Sequence, residues 1–230
     1  MASGLVRAAG FCLLIFTGMA TGAQAADMTF RAEPVGSGAD CRNGCPKVIV
    51  AEGVITRSTP GDFLNFIHQN LRDKSFRNVI FISSAGGSVA PAMQLGSLFR
   101  KLNSTVIVGQ TEHTGEFGND PRIGVPLKTA GCYSACLFAL MGGKTRVVPD
   151  ASVVGVHRIH TRGQMDVATS DKRMMYMFAE TDLVATMRGY AKVMGVSPDL
   201  INLAESVGPN DIHKLSPDEL RAFRLAKNRF

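Results

Sequence analysis

Apolar residues fall along this chain in short continuous runs, with stretches of helical spacing between them. Residues 47–55 are rich in β-branched side chains and predict a strand and turn. Val79, Ile80, Phe81 and Ile82 form an unbroken apolar run, the pattern of a strand buried on both faces. Residues 105–108 predict the next strand, and 146–148 and 152–156 two short ones. Thr59, Pro60 and Asp62 open a helix as cap, first-position proline and first-turn acid; Phe63, Phe66, Ile67 and Leu71 line one face of it. Ala92, Leu95, Phe99 and Leu102 stripe a helix that follows Ser88. Residues 134–141 predict a short apolar helix closed by Gly142 and Gly143. Residues 169–194 read as one long helix carrying Met174, Met177, Phe178, Leu183, Met187 and Tyr190. Ser197-Pro198-Asp199 opens another helix, and Ser216-Pro217-Asp218-Glu219 a last one with a capping box. Residues 26–46 look irregular, and 109–128 predict an exposed, Gly-rich loop. The alternation of strand and helix from 48 to 225 predicts an α/β fold with one layered sheet.

Composition narrows the class. At 45% hydrophobic and 19% charged residues, the 230-residue chain is neither a disordered polymer nor a polytopic membrane protein. Its net charge of +6 is scattered without a basic run, which speaks against nucleic-acid recognition. The N-terminus has the layout of a secretory signal peptide: Arg7, the apolar stretch from Phe11 to Phe16, then Ala23-Gln24-Ala25 as a small-x-small cleavage pattern. An uncleaved anchor is the competing reading, but the apolar core is short for a span. The expected organisation is therefore a signal peptide at 1–25, an irregular segment with a cysteine pair at 26–46, and one domain at 47–230, exported to the periplasm.

Export puts Cys41, Cys45, Cys132 and Cys136 in an oxidising compartment. Cys41 and Cys45 sit in a turn-rich loop that favours a local disulfide. Cys132 and Cys136 can bridge each other, pair with the first two or pack as small apolar groups, and packing is slightly favoured. No cysteine spacing of the zinc type is present, and His157 with His160 lacks a third ligand nearby, so neither metal nor cofactor is expected.

Three segments carry candidate chemistry. Ser83-Ser84-Ala85-Gly86-Gly87-Ser88 joins a buried strand to a helix, and paired glycines let the backbone aim N–H groups into a crevice, where they can stabilise an oxyanion. In Cys132-Tyr133-Ser134-Ala135-Cys136, a hydroxyl stands at the mouth of an apolar helix; an N-cap serine is the bland alternative. His157 ends a buried strand, where α/β sheets bind ligands, although a lone histidine is more often a structural hydrogen bonder.

The order of these segments resembles the proteolytic subunit of the Clp proteases and the wider Clp/crotonase fold, a layered sheet of ββα units with flanking helices. It is most similar to secreted, stand-alone relatives with a Cys-x-Ser-Ala-Cys segment. The resemblance covers roughly residues 47 to 225. It implies Ser134 as nucleophile, His157, 23 residues later, as general base, and Asp211 as the acid. It also implies Gly86 or Gly87 and Ala135 as oxyanion donors. The expected activity is that of a serine peptidase or related acyl hydrolase acting on peptide or protein as a homo-oligomer, with no ATPase partner outside the cytoplasm. The chain departs from the family pattern in the loop 109–128 and in the bulky Tyr133 before the nucleophile. A Ser–Lys pair with Lys144, a catalytically inactive binding or assembly protein, and an acyl-CoA hydratase or thioesterase are the competing readings; export speaks against the last.

Overall fold

The apolar runs of the sequence become the middle of a parallel sheet. The computed structural model describes residues 26–36, 41, 44–70, 72–111, 127–128, 130–166 and 172–226, and the expected signal peptide lies outside them. In chain order the first half contains β1 (Thr29–Pro34), β2 (Lys47–Glu52), α1 (Thr59–Asn70), β3 (Phe76–Ser83), α2 (Val89–Lys101), β4 (Thr105–Val108) and β5 (Gln110–Thr111). β6 (Leu127–Lys128), β7 (Gly131–Tyr133), α3 (Cys136–Met141), β8 (Thr145–Val147) and β9 (Val153–Val156) follow. The last part holds β10 (His160–Asp166), β11 (Lys172–Phe178), α4 (Thr181–Val193), α5 (Asp199–Ser206), β12 (His213–Lys214) and α6 (Pro217–Ala222).

One sheet has the order β1-β2-β3-β4-β8, parallel except for β1. A second has the order β12-β9-β7, and a single bridge between Ser84 and Cys132 joins the end of β3 to β7. Strand alternation explains the unbroken apolar runs. Ile49, Ala51, Ile80, Ile82, Val106 and Val108 enter the main core, while Val48, Val50, Phe81 and Ile107 pack together on the other face. α1 and α2 cover the main face, with Phe63 edge-on to Phe99 at 5.1 Å between ring centroids.

Several sequence expectations are corrected. Residues 29–34 form an edge strand, not an irregular segment: Phe30 and Ala32 pair with Ala51 and Ile49, and the Arg31 guanidinium forms an ion pair with the Glu52 carboxylate. Too few apolar residues mark this strand for composition to reveal it. The single helix expected at 169–194 is β11 followed by α4. Positions 174, 177 and 178 fit a helical stripe, but residues 172–178 also suit a strand, and antiparallel pairing with β10 (His160 opposite Phe178) decides the outcome. Of the loop expected at 109–128, β5 and β6 pair antiparallel, and 112–126 lie outside the described residues.

Two arginines tie the helix ends together. Arg146 donates to the carbonyls of Met141, Gly143, Met194, Arg224 and Leu225, and Arg100 to those of Met141 and Met194. These oxygens lie at or just beyond the C-terminal ends of α3, α4 and α6, where carbonyls lack partners within the helix. Burial, with Arg100 close by, lowers the Arg146 pKa to about 10, so it stays charged at neutral pH. Among the described residues no helix is long and apolar enough to cross a membrane.

Candidate active site

β3 delivers its C-terminal end to a turn that only glycine permits. Gly86 and Gly87 have φ of +108° and +133°. A β-carbon on Gly87 would lie 2.1 Å from the Ile55 carbonyl oxygen, and one on Gly86 would lie 2.8 Å from Cβ of Ser134. The turn is fastened to β7 by the buried Ser84: its N–H donates to Gly131 O, its carbonyl accepts from Tyr133 N–H, and its hydroxyl accepts from Gly86 N–H. The Gly-Gly turn and the serine segment, remote in sequence, are thus in contact.

Ser134 sits at φ +54°, the left-handed region that costs a non-glycine residue about 1–2 kcal/mol. Its own N–H donates to Gly155 O at 2.9 Å. Ala135 holds the cap position of α3 with no side-chain cap bond, so the reading of Ser134 as a helix cap is not realised. The N–H groups of Gly87 and Ala135 have no acceptor among the described residues, whereas that of Gly86 is taken by Ser84. Tyr133 fits before the serine because Gly131 and Gly155 make room: β-carbons there would lie 2.0 and 2.5 Å from its ring.

A disulfide joins Cys132 to Cys136 across Ser134, which corrects the expectation of simple packing. The left-handed turn at Ser134 brings the two Cα atoms, one in the middle of β7 and one at the start of α3, to 5.2 Å, within disulfide reach. A second disulfide joins Cys41 to Cys45.

His157 follows β9, and its Nδ1 lies 2.8 Å from the Arg158 carbonyl oxygen. A carbonyl can only accept, so Nδ1 carries a proton, and in the neutral imidazole that leaves the lone pair on Nε2. His160 Nδ1 lies 2.9 Å from the same oxygen, and the two rings are 5.2 Å apart. An open cavity of about 470 Å³ has Gly87, Ser134, His157, His160 and Asp211 on its wall. No hydrogen bond joins Ser134 to His157 among the described residues. Asp211 is exposed, its Oδ2 lies 2.8 Å from where a β-carbon on Gly208 would stand, and it makes no hydrogen bond to His157. Lys144 is exposed near Ser104 and lines none of the cavities at Ser134. Among the described residues no three His, Cys, Asp or Glu side chains gather to hold a metal.

Sequence reasoning missed the Arg158 carbonyl, which carries no residue signature, and Glu205, whose Oε1 accepts from Ile159 N–H. The symmetric placement of Cys132 and Cys136 about Ser134 was a readable sign of their bond.

No family model matches the chain, and no curated protein matches it. Among solved structures it is similar to a mutant of the 1510-N membrane-bound stomatin-specific protease (15% identity, TM-score 0.47), covering 77% of this chain and 75% of that one. Another mutant of that protease, in complex with a substrate peptide, gives 14% identity and a TM-score of 0.49 over 77% and 71%. ClpP1 from Listeria monocytogenes gives 15% identity and a TM-score of 0.45 over 79% and 92%. The likeness is one of fold.

Proposed function

We propose that this chain is an exported serine hydrolase of the peptidase type. Ser134 Oγ attacks a substrate carbonyl while His157 Nε2 takes its proton. The resulting oxyanion accepts from the N–H groups of Gly87 and Ala135, each worth about 3 kcal/mol in such a site. The imidazolium then protonates the leaving group, and water, deprotonated by the same imidazole, releases the acyl group from Ser134. One observation carries this reading: a serine in a left-handed turn is packed against the Gly-Gly turn, beside two backbone N–H groups without acceptors among the described residues and an imidazole on the same cavity wall. The two disulfides support export to an oxidising compartment. Asp211 stands as a carboxylate on the same cavity wall without contacting the imidazole, while the Arg158 carbonyl holds the ring.

A fluorophosphonate probe tests this. The wild type labels, Ser134→Ala does not, and His157→Ala labels at least ~100-fold more slowly. Asp211→Asn slows labelling less than about tenfold, against the roughly 10⁴-fold expected for an acid hydrogen-bonded to the imidazole. A folded wild type that stays unlabelled overturns the proposal in favour of a non-catalytic binding protein, the reading that the missing Ser134–His157 hydrogen bond favours.

A further inference from the structure

Glu205 stands in a place where a carboxylate needs a reason. It lies in the last turn of α5, against the negative end of the helix, and its side chain is only 15% exposed. A largely buried carboxylate needs hydrogen-bonding partners. Two are present. Oε1 accepts from Ile159 N–H at 3.2 Å, and Oε2 lies 3.5 Å from Nε of Arg158. Both partners belong to the short segment between β9 and β10, and Arg158 N–H is also held from α5, by the Val207 carbonyl just beyond the helix.

The peptide unit so fixed is the one between Arg158 and Ile159. Its N–H goes to Glu205, and its carbonyl accepts from Nδ1 of His157. The two groups of one planar peptide point in opposite directions, so holding the N–H sets the direction of the carbonyl. That carbonyl in turn sets which nitrogen of His157 bears the proton. We infer that Glu205 is a positioning residue: through the Arg158–Ile159 peptide it keeps the His157 proton on Nδ1 and leaves Nε2 free to take a proton from Ser134. The device does for His157 what a directly bonded carboxylate does elsewhere, with a backbone carbonyl as the contacting group. The inference rests on the assignment of Ser134 and His157 above only where catalysis is concerned; the tautomer is a property of the folded chain whether or not Ser134 reacts.

The test combines imidazole ¹⁵N chemical shifts of His157 with fluorophosphonate labelling of Ser134. In the wild type, His157 is expected in the Nδ1–H form. Glu205→Met keeps the length of the side chain but removes the acceptor; it is expected to shift His157 to a mixture of tautomers and to slow labelling ~10- to 100-fold. Glu205→Gln retains an acceptor oxygen for Ile159 N–H and is expected to restore the Nδ1–H form, with labelling within about threefold of wild type. A His157 tautomer and labelling rate unchanged in folded Glu205→Met overturn the inference. A wild-type spectrum with the proton on Nε2 overturns it without any variant. A wild type that never labels but shows the Nδ1–H form, lost in Glu205→Met, sinks the hydrolase reading and leaves the positioning role standing.

Discussion

The two ends of α3 treat backbone polar groups in opposite ways. At its C-terminal end the Met141 and Gly143 carbonyls are gathered by Arg146, together with carbonyls that end α4 and follow α6. At its N-terminal end the chain turns left-handed at Ser134, and among the described residues the Ala135 N–H faces no acceptor, like that of Gly87 beside it. One end saturates its hydrogen-bonding capacity and locks the helix to its neighbours. The other leaves capacity unspent, in a strained turn, next to a cavity. The same short helix thus has a stabilising end and a reactive end, and the first keeps the second in place. Gly96 and Gly142 let α2 pass close to α3, and the Tyr190 hydroxyl donates to Phe138 O, so the helix has little room to shift.

The strongest way to break this contrast is to remove Arg146. In Arg146→Met, Arg100 still serves Met141 and Met194, but the carbonyls of Gly143, Arg224 and Leu225 lose their donor. At 1 kcal/mol or more for each, the expected loss is about 4 kcal/mol. For a chain of this size that lowers Tm by roughly 10 °C. Labelling per folded molecule is expected to stay within about twofold of wild type. A variant that melts normally would show that these hydrogen bonds contribute little.

The complementary change strikes the reactive end. A β-carbon on Gly86 would lie 2.8 Å from both Ser134 Cβ and the Tyr133 carbonyl oxygen and 3.2 Å from the Ala135 nitrogen. Gly86→Ala must therefore push the nucleophile away from the turn, besides straining a backbone with φ of +108°. We expect about 2 kcal/mol of lost stability and a fall in labelling of roughly 30-fold. Wild-type labelling in a folded Gly86→Ala protein would mean that the serine turn does not depend on its fit against Gly86.

Of this contrast only the reactive end could be read from the chain beforehand, and the limits are physical. The buried strands announced themselves because Ile80, Phe81 and Ile82 face two cores, and the meeting of a Gly-Gly turn with a serine turn was implied by the family resemblance. Ser216 and Glu219 form the capping box that their spacing foretold. The β10–β11 hairpin stayed hidden because pairing at a distance, not local periodicity, decides the state of residues 172–178. The group that holds His157 stayed hidden for another reason: every residue has a carbonyl, and only the folded path of the chain selects that of Arg158. Arg146 was unreadable for the same reason, since its partners are main-chain oxygens rather than acids.

The smallest effect concerns how α6 is held at its other end. Arg146 takes the carbonyls that follow α6, while Glu219 fixes its start, accepting from Ser216 N–H at 2.7 Å and meeting His213 Nε2 at 2.8 Å. The Ser216 backbone bond first, and His213 after it, hold the Glu219 carboxyl below the usual carboxylate range. The charged form is therefore favoured by folding, so its contribution is complete above the unfolded pKa near 4.3 and fades as pH falls through the lower folded value. Glutamine still offers one acceptor oxygen, and the side chain is solvent-accessible, so Glu219→Gln should destabilise by only about 0.5 kcal/mol at pH 7. Urea denaturation should show the same difference at pH 6 and a shrinking one below about pH 4. A difference that persists unchanged to pH 2 would trace the effect to side-chain shape, and α6 would then be held at its start without help from charge.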